Sequence, residues 1–441
     1  MNAAPKVAII GYPNVGKSTL FNRLTGRRDA VVHEDSGVTR DRKEAQVEWS
    51  GRVFTLIDTG GVDTADRRAM ARQIRSQVES ALSEAALIML VVDGETGIGP
   101  GDEDLAQIVR RSGRPALLVV NKVDDYSRAE TVLAGFHALG MGDPLPVSAL
   151  HGSGSGDLLD ELVSRLEEQF VLAEAGAREE LRVALVGRPN AGKSSMFNRL
   201  LGEERVIVSP EAGTTRDSID TLVELDGEPV RFIDTAGLRK PGKLKGDIEY
   251  YSRLRALEAL NRANVALILV DATVGLTDYD LTIISEAMKR KCAAALLINK
   301  WDLARLDLED LRLRLARKTT LKPPFLVTSA ETGRGLGDVL PLVRHLYGLY
   351  TSHISTRDLN SFLQELKAGH APPLVKGRRL KLYYISQPGT APPRIVVQVN
   401  SKGLVTRPYA THLENELRER FGYHGCPLVI QFKGKKGGRR G

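Results

Sequence analysis

One short stretch limits what this chain can fold into more than any other: GYPNVGKS, Gly11 to Ser18, which returns as GRPNAGKS, Gly187 to Ser194. In each copy an apolar run that reads as a buried strand, Val7 to Ile10 and Val183 to Val186, leads into the loop. A helix-period pattern, Leu20 to Leu24 and Met196 to Leu201, leads out of it. Strand, loop and helix in that order are the context of a Walker A motif. The glycines let backbone N–H groups turn inward around phosphate oxygens, and the positive end of the following helix faces the same anion. The candidate phosphate-binding residues are therefore Gly11, Tyr12, Pro13, Asn14, Val15, Gly16, Lys17 and Ser18, then Gly187, Arg188, Pro189, Asn190, Ala191, Gly192, Lys193 and Ser194. Lys17 and Lys193 reach the β and γ phosphates, and the hydroxyls of Ser18 and Ser194 sit on Mg²⁺. A glycine turn with a solvated lysine would explain one such match; the same context twice leaves that alternative little room.

The repeat extends beyond the loops. Gly11 and Gly187, Thr39 and Thr215, Asp58 and Asp234, and Gly61 and Gly237 all keep an offset of 176, which becomes 178 at Asn121 and Asn299. Register that steady indicates duplication of a whole domain. Within each copy strands and helices alternate as in an open, mostly parallel α/β domain with helices on both faces. Glu44 to Trp49 and Val53 to Asp58, joined by Ser50-Gly51, read as a hairpin. The expected division is a first domain at 1–169, a short acidic linker at 170–181, a second domain at 182–350, a small α/β unit at 351–433 and a basic flexible tail at 434–441.

Charge is unevenly distributed. The chain carries 62 Lys and Arg against 55 Asp and Glu. From residue 351 onward the count is 16 against 5, so the first 350 residues hold 46 against 50. A concentrated basic segment is the usual footprint of a polyanion partner, most often nucleic acid; a solubilising tail is the bland alternative. Lys376, Arg378, Arg379, Lys381 and the run Lys433 to Arg440 are the candidate contacts. Gly422-Tyr423-His424-Gly425 matches GxxG literally, but it lies between a helix and the last strand and reads as a turn. No run of eighteen apolar residues occurs, and MNAAPK leads directly into the first strand, so neither a membrane span nor a signal peptide is expected. Cys292 and Cys426 each stand alone and read as reduced, packed thiols of a cytoplasmic protein. His33 and the other histidines have no base-like or ligand-like partner in the sequence and receive no role.

Asn121-Lys122-Val123-Asp124 and Asn299-Lys300-Trp301-Asp302 each end an apolar strand. A carboxylate there accepts from both N1–H and the 2-amino group of guanine. Adenine has no such pair and would leave the carboxylate unpaired, which argues against a tandem ATPase. Ser148-Ala149 and Ser329-Ala330 follow short strands, where a backbone N–H meets guanine O6. Asp58-Thr59-Gly60-Gly61 and Asp234-Thr235-Ala236-Gly237 supply an aspartate for Mg²⁺ and a glycine N–H for the γ phosphate. Thr39 and Thr215 are placed to touch Mg²⁺ and γ phosphate, with Thr214 a rival in the second copy. Val62 and Leu238 follow the DxxG glycines and cannot orient a water through their side chains. Hydrolysis must be helped otherwise. Asn14 and Asn190 are candidates to hold a monovalent cation against the phosphates, where added positive charge stabilises the transition state; the alternative is that they only shape the loop.

The tandem GxPNxGKS, GxTRD, DTxG and NKxD sets, followed by PPLVKGRRLKLYY (Pro372 to Tyr384), resemble the Der (EngA) family of bacterial double-domain GTPases over essentially the whole chain. The resemblance implies two P-loop GTPase domains followed by a KH-like domain, Mg²⁺-dependent GTP hydrolysis with potassium stimulation, and association with the large ribosomal subunit and its rRNA during assembly. The chain is expected to be monomeric. On this reading Lys17, Thr39, Asp58 and Gly61, with Lys193, Thr215, Asp234 and Gly237, carry the reaction. A rival reading keeps hydrolysis in one copy and leaves the other to sense GTP or GDP.

Overall fold

The run Leu87–Asp93, LIMLVVD, is buried at every position, as a strand covered on both faces must be, and so is Val265–Asp271, VALILVD. Around these strands the computed structural model forms two seven-stranded sheets. It describes residues 4–26, 32–33, 43–59, 67–124, 129–169, 180–202, 206–208, 220–225, 228–234, 248–369, 372, 374–375 and 377–434. These fall into two units: 1–178 with 354–370 and 383–389, and 179–353 with 371–382 and 390–441. The segment 351–433 is thus shared between them.

In the first unit the order is β1 (Lys6–Ile10), α1 (Lys17–Thr25), β2 (Val32–His33), β3 (Lys43–Trp49), β4 (Arg52–Asp58), α2 (Arg67–Glu84), β5 (Leu87–Asp93), α3 (Pro100–Ser112), β6 (Ala116–Asn121), α4 (Ala129–Ala134), β7 (Leu145–Pro146) and α5 (Ser155–Glu167). The sheet runs β2-β3-β4-β1-β5-β6-β7, with β1 central and parallel to β4 and β5. Alternate residues of β1 serve different cores. Val7 and Ile9 pack with Leu20, Phe21, Trp49 and Phe54, whereas Ala8 and Ile10 pack with Ile74, Val78 and Leu105. Ser50 and Gly51 have φ of 54° and 75°, the left-handed pair that a tight hairpin between β3 and β4 requires.

The second unit repeats the plan. β8 (Leu181–Gly187), α6 (Lys193–Leu201), β9 (Val206–Val208), β10 (Thr221–Leu225), β11 (Glu228–Ile233), α7 (Ile248–Arg262), β12 (Val265–Asp271), α8 (Asp278–Lys289), β13 (Ala293–Asn299), α9 (Leu308–Lys318), β14 (Phe325–Val327) and α10 (Val339–Thr351) follow in order. The sheet runs β14-β13-β12-β8-β11-β10-β9, so β8 occupies the place of β1. The linker boundary needs one correction: Leu181 is buried, opens β8 and pairs with Val230, so an apolar residue placed in the linker belongs to the sheet. Residues 170–179 lie outside the described residues.

From the chain's last portion, α11 (Thr356–Gly369) and most of β17 (Leu382–Gly389) belong to the first unit. There Asp160 accepts from Trp49 Nε1 at 2.6 Å and from the backbone N–H of Thr356 at 2.7 Å, and Tyr384 Oη donates to Asp157 at 3.1 Å. The second unit holds β15 (Leu374–Val375), β16 (Arg378–Arg379), β18 (Arg394–Val399), α12 (Arg407–Phe421) and β19 (Val429–Gly434), with β18 parallel to β19. The GxxG stretch is a turn engaged with the protein itself. Gly422 caps α12 at φ 72°, Tyr423 is buried with Oη 2.7 Å from Ser352 Oγ, and Gly425 accepts at its carbonyl from the Ala294 N–H (2.7 Å) and donates its own N–H to the Leu321 carbonyl (2.8 Å). Arg418, wholly buried, donates to the carbonyls of Tyr423 and Cys426 and to Glu414.

At Gly425, φ is 75° and a Cβ would lie 2.5 Å from Pro324 Cδ and 2.6 Å from the Ala294 carbonyl oxygen. Gly425→Ala should therefore cost about 2–3 kcal/mol, combining strain with overpacking. Gly403→Ala, whose methyl group would meet nothing nearer than 3.9 Å, is the control. Thermal unfolding should show a clear fall in Tm for the first and little change for the second; equal Tm values would refute the argument.

Candidate functional site

Each phosphate-binding loop joins its central strand to the helix that follows. Gly11 and Gly187 (φ 153° and 149°) open the loops, Asn14 and Asn190 (67° and 63°) turn them, and Gly16 and Gly192 (94° and 95°) precede α1 and α6. The glycines answer to close approaches. A Cβ on Gly16 would lie 2.3 Å from Asn121 Nδ2, and one on Gly192 would lie 2.4 Å from Asn299 Nδ2. Lys17 Nζ donates to the carbonyls of Gly11 and Tyr12, both at 2.9 Å, and Lys193 Nζ donates to those of Gly187 (2.8 Å) and Arg188 (2.6 Å). Each ammonium is thus held across the mouth of its own loop. Burial lowers both lysines; Asp58 offsets part of this for Lys17, and Lys193 falls to about 8.

The NKxD segments are built into the same site. Asn121 Nδ2 donates to the Val15 carbonyl at 2.8 Å while its Oδ1 accepts from the Ala149 N–H at 3.0 Å. Asn299 does the same with Ala191 (2.9 Å) and Ala330 (3.0 Å). One side-chain amide therefore ties the phosphate loop to the Ser-Ala loop in each copy. Ser148 Oγ donates to Asp124 Oδ1 at 2.5 Å, and Ser329 Oγ donates to Asp302 Oδ1 at 2.6 Å, which aims the exposed carboxylates. Val123 and Trp301 hold the segment by donating backbone N–H groups to Val147 (3.1 Å) and Thr328 (3.2 Å).

Sequence reasoning missed the residues behind these lysines. Lys122 Nζ lies 2.6 Å from Asp93 Oδ2 and Lys300 Nζ lies 2.7 Å from Asp271 Oδ2, at the ends of β5 and β12. Burial pushes both aspartates up, but the lysine hydrogen bonds and neighbouring backbone N–H groups outweigh it and hold both below the usual carboxylate range. The signal was available, since Asp93 and Asp271 share the 178 offset of Asn121 and Asn299. His151, given no role from sequence, stands 3.3 Å from Asp124 Oδ2. Arg23 was also missed: from α1 it donates to the carbonyls of Ala149, at 2.7 Å, and Leu150.

Ser18 lies exposed in the first turn of α1, Ser194 is half-buried in that of α6, and Asp58 and Asp234 stand at or just after the ends of β4 and β11. Burial raises Asp234. Hydroxyl and carboxylate oxygens are the donors a hard divalent cation takes. Thr59 Oγ1 donates to the Ile9 carbonyl at 2.9 Å, fixing the start of its segment against β1. Thr39, Gly60, Gly61, Val62, Thr214, Thr215, Thr235, Ala236, Gly237, Leu238, Lys376 and the tail beyond Gly434 lie outside the described residues. Arg378, Arg379 and Lys381 are exposed.

Comparison with known proteins agrees with this geometry. A family model described as 50S ribosome-binding GTPase matches residues 6–122 and again 182–300, and one described as the C-terminal KH-domain-like region of EngA bacterial GTPase enzymes matches 353–433. The chain is 45% identical to GTPase Der of Pelotomaculum thermopropionicum, covering 98% of both chains. It is 45% identical to that of Desulforudis audaxviator, covering 97% of this chain and 98% of the relative, and 44% identical to that of Chloroflexus aggregans, covering 98% of both.

Lys193 gives a test of the phosphate reading. A bound polyphosphate restores the ammonium, so at a pH above its value of about 8 binding at the second loop must draw in a proton, and affinity must fall as pH rises further. Calorimetric titration of GDP at about pH 8.3, below the ionisation of guanine N1–H, in two buffers of different ionisation enthalpy, should register uptake of roughly two-thirds of a proton in a chain whose first site is disabled by Asp124→Asn. Buffer-independent heats would contradict the reading.

Proposed function

Because this chain belongs to the Der (EngA) family of GTPases, with two G domains and a KH-like domain, we propose that it uses GTP at both loops to switch its association with the large ribosomal subunit during assembly. The observation that carries the two-site reading is the repeated bridge from phosphate loop through Asn121 or Asn299 to the Ser-Ala loop, with Asp124 or Asp302 presented beside it. The carboxylate pairs with guanine N1–H and its 2-amino group, and Lys122 or Lys300, braced by Asp93 or Asp271, covers the base; the Ala149 and Ala330 N–H groups expected at O6 are given in this structure to Asn121 and Asn299. Lys17 and Lys193 leave their loop carbonyls to take phosphate oxygens. That exchange places the lysine's positive charge where negative charge accumulates in the transition state.

Mg²⁺, held by Ser18, Thr39 and Asp58 and by Ser194, Thr215 and Asp234, would neutralise phosphate charge when bound. Gly61 and Gly237 read the γ phosphate. With valine and leucine at 62 and 238, no side chain there orients water, and Asn14 and Asn190, exposed at the turn of each loop, are assigned to a K⁺ ion. The partner is rRNA, contacted through the basic segment that includes exposed Arg378, Arg379 and Lys381. The setting is cytoplasmic; no helix among the described residues is long and apolar enough to cross a membrane.

Sedimentation with large ribosomal subunits should show co-migration that depends on whether a GTP analogue or GDP is present. Absent or nucleotide-independent association would sink the proposal. Replacing K⁺ by Na⁺ should lower turnover about tenfold or more, as removal of one transition-state charge contact does, and Asn14→Ala with Asn190→Ala should abolish that difference. Equal turnover in the two salts would remove the cation assignment.

A further inference from the structure

Tyr12 is the one aromatic side chain in either phosphate loop, and its ring lies against the first turn of α3. A Cβ on Gly101 would stand 2.1 Å from Tyr12 Cζ, 2.3 Å from Cε2 and 2.6 Å from Oη, so the glycine is what admits the ring. The ring also packs against the core that holds Ile74 and Val78 of α2 and Leu105 and Val109 of α3. Its hydroxyl makes no hydrogen bond among the described residues, so the contact is one of shape.

The second copy builds the same junction from exchanged parts. Asp102 Oδ2 accepts from the Gly99 N–H and Asp280 Oδ2 from the Thr277 N–H, both at 2.9 Å, so α3 and α8 start in one register and Gly101 and Tyr279 hold equivalent places. Arg188 stands where the first loop has Tyr12. The first copy thus pairs an aromatic loop residue with a glycine on the helix, and the second pairs an arginine in the loop with an aromatic on the helix. Tyr279 packs into the second core, and the charge of Arg188 works against the burial that raises Asp280. Tyrosine at both places would collide in the first copy.

We propose that Tyr12 is a positioning residue of the first site, its ring seated on Gly101 so that the phosphate loop keeps its shape when Lys17 turns from loop carbonyls to phosphate. The inference rests on reading Lys17 as the phosphate-binding lysine. The Tyr12 carbonyl is one of the two acceptors that hold Lys17 Nζ, at 2.9 Å. Anchoring the ring on α3 fixes the same residue from the far side, and a loop held in place binds without having to be ordered first. Its neighbours do not substitute: Pro13 is half-buried and Asn14 is exposed, in a left-handed turn at φ 67°.

Full-length chains carrying Asp302→Asn report on the first site through release of a fluorescent GDP. Tyr12→Ala should speed release about tenfold or more, as displacement of a positioning group does. Tyr12→Phe, which keeps the ring, should change it less than about twofold. Gly101→Ala should speed release by pushing the ring out, yet add nothing to Tyr12→Ala, because its methyl group then meets no ring. Tyr12→Arg combined with Gly101→Tyr, which copies the second site, should release GDP more slowly than Tyr12→Arg alone. GMP lacks the β phosphate that Lys17 takes, so in competition it should bind the parent and Tyr12→Ala chains alike, which a general loosening of the unit would not allow. Release from Tyr12→Ala equal to the parent's, additive effects of Tyr12→Ala and Gly101→Ala, no recovery in the exchanged pair, or equal weakening of GMP and GDP would overturn the proposal. GDP affinity undiminished by Lys17→Ala would overturn the phosphate reading beneath it.

Discussion

The side-chain amide of Asn121, and of Asn299 in the repeat, holds the rest of each site in place. Its NH₂ group reaches the phosphate loop and its carbonyl reaches the Ser-Ala loop, so one planar group fixes the two loops proposed to hold opposite ends of a nucleotide. Buried among apolar strands, that amide must have both halves satisfied. The need explains the glycine at positions 16 and 192. The amide approaches so closely that a methyl group there would overlap it, and the same glycine supplies the left-handed turn into the helix.

The sheets bring these parts together. β1 and β8 are central, and each ends at its phosphate loop; β6 and β13, two strands along, end at NKxD. Asp93 and Asp271 close the intervening strands and reach across to the lysines. The proposed base and phosphate contacts are therefore separated by strand spacing instead of by loop length. The loops carrying them are left free to differ.

Much of this was legible in the sequence because the determining features are local or periodic. Apolar runs gave β1 and β8, Ser50-Gly51 gave the hairpin, and fixed register gave the duplication. The supporting contacts were harder to read, since they join residues far apart in the chain. Arg23 meets Ala149 and His151 meets Asp124 only once α1 and the strands have packed. Leu181 was misplaced by its acidic neighbours, although burial against the sheet decides its state. The Gly422 to Gly425 turn shows the converse: a literal motif match says little until the partners of its backbone are known.

Those partners bear on the order of events during synthesis. Ala294 is the second residue of the strand that ends in Asn299, yet its amide hydrogen is taken by the carbonyl of Gly425, far along the chain. A ribosome making this protein releases the whole second sheet long before Gly425 appears. Until then Ala294 in β13 lacks the carbonyl that its N–H meets, and Leu321 lacks the N–H that its carbonyl accepts. Completion of the second unit thus waits on a turn translated well after its sheet.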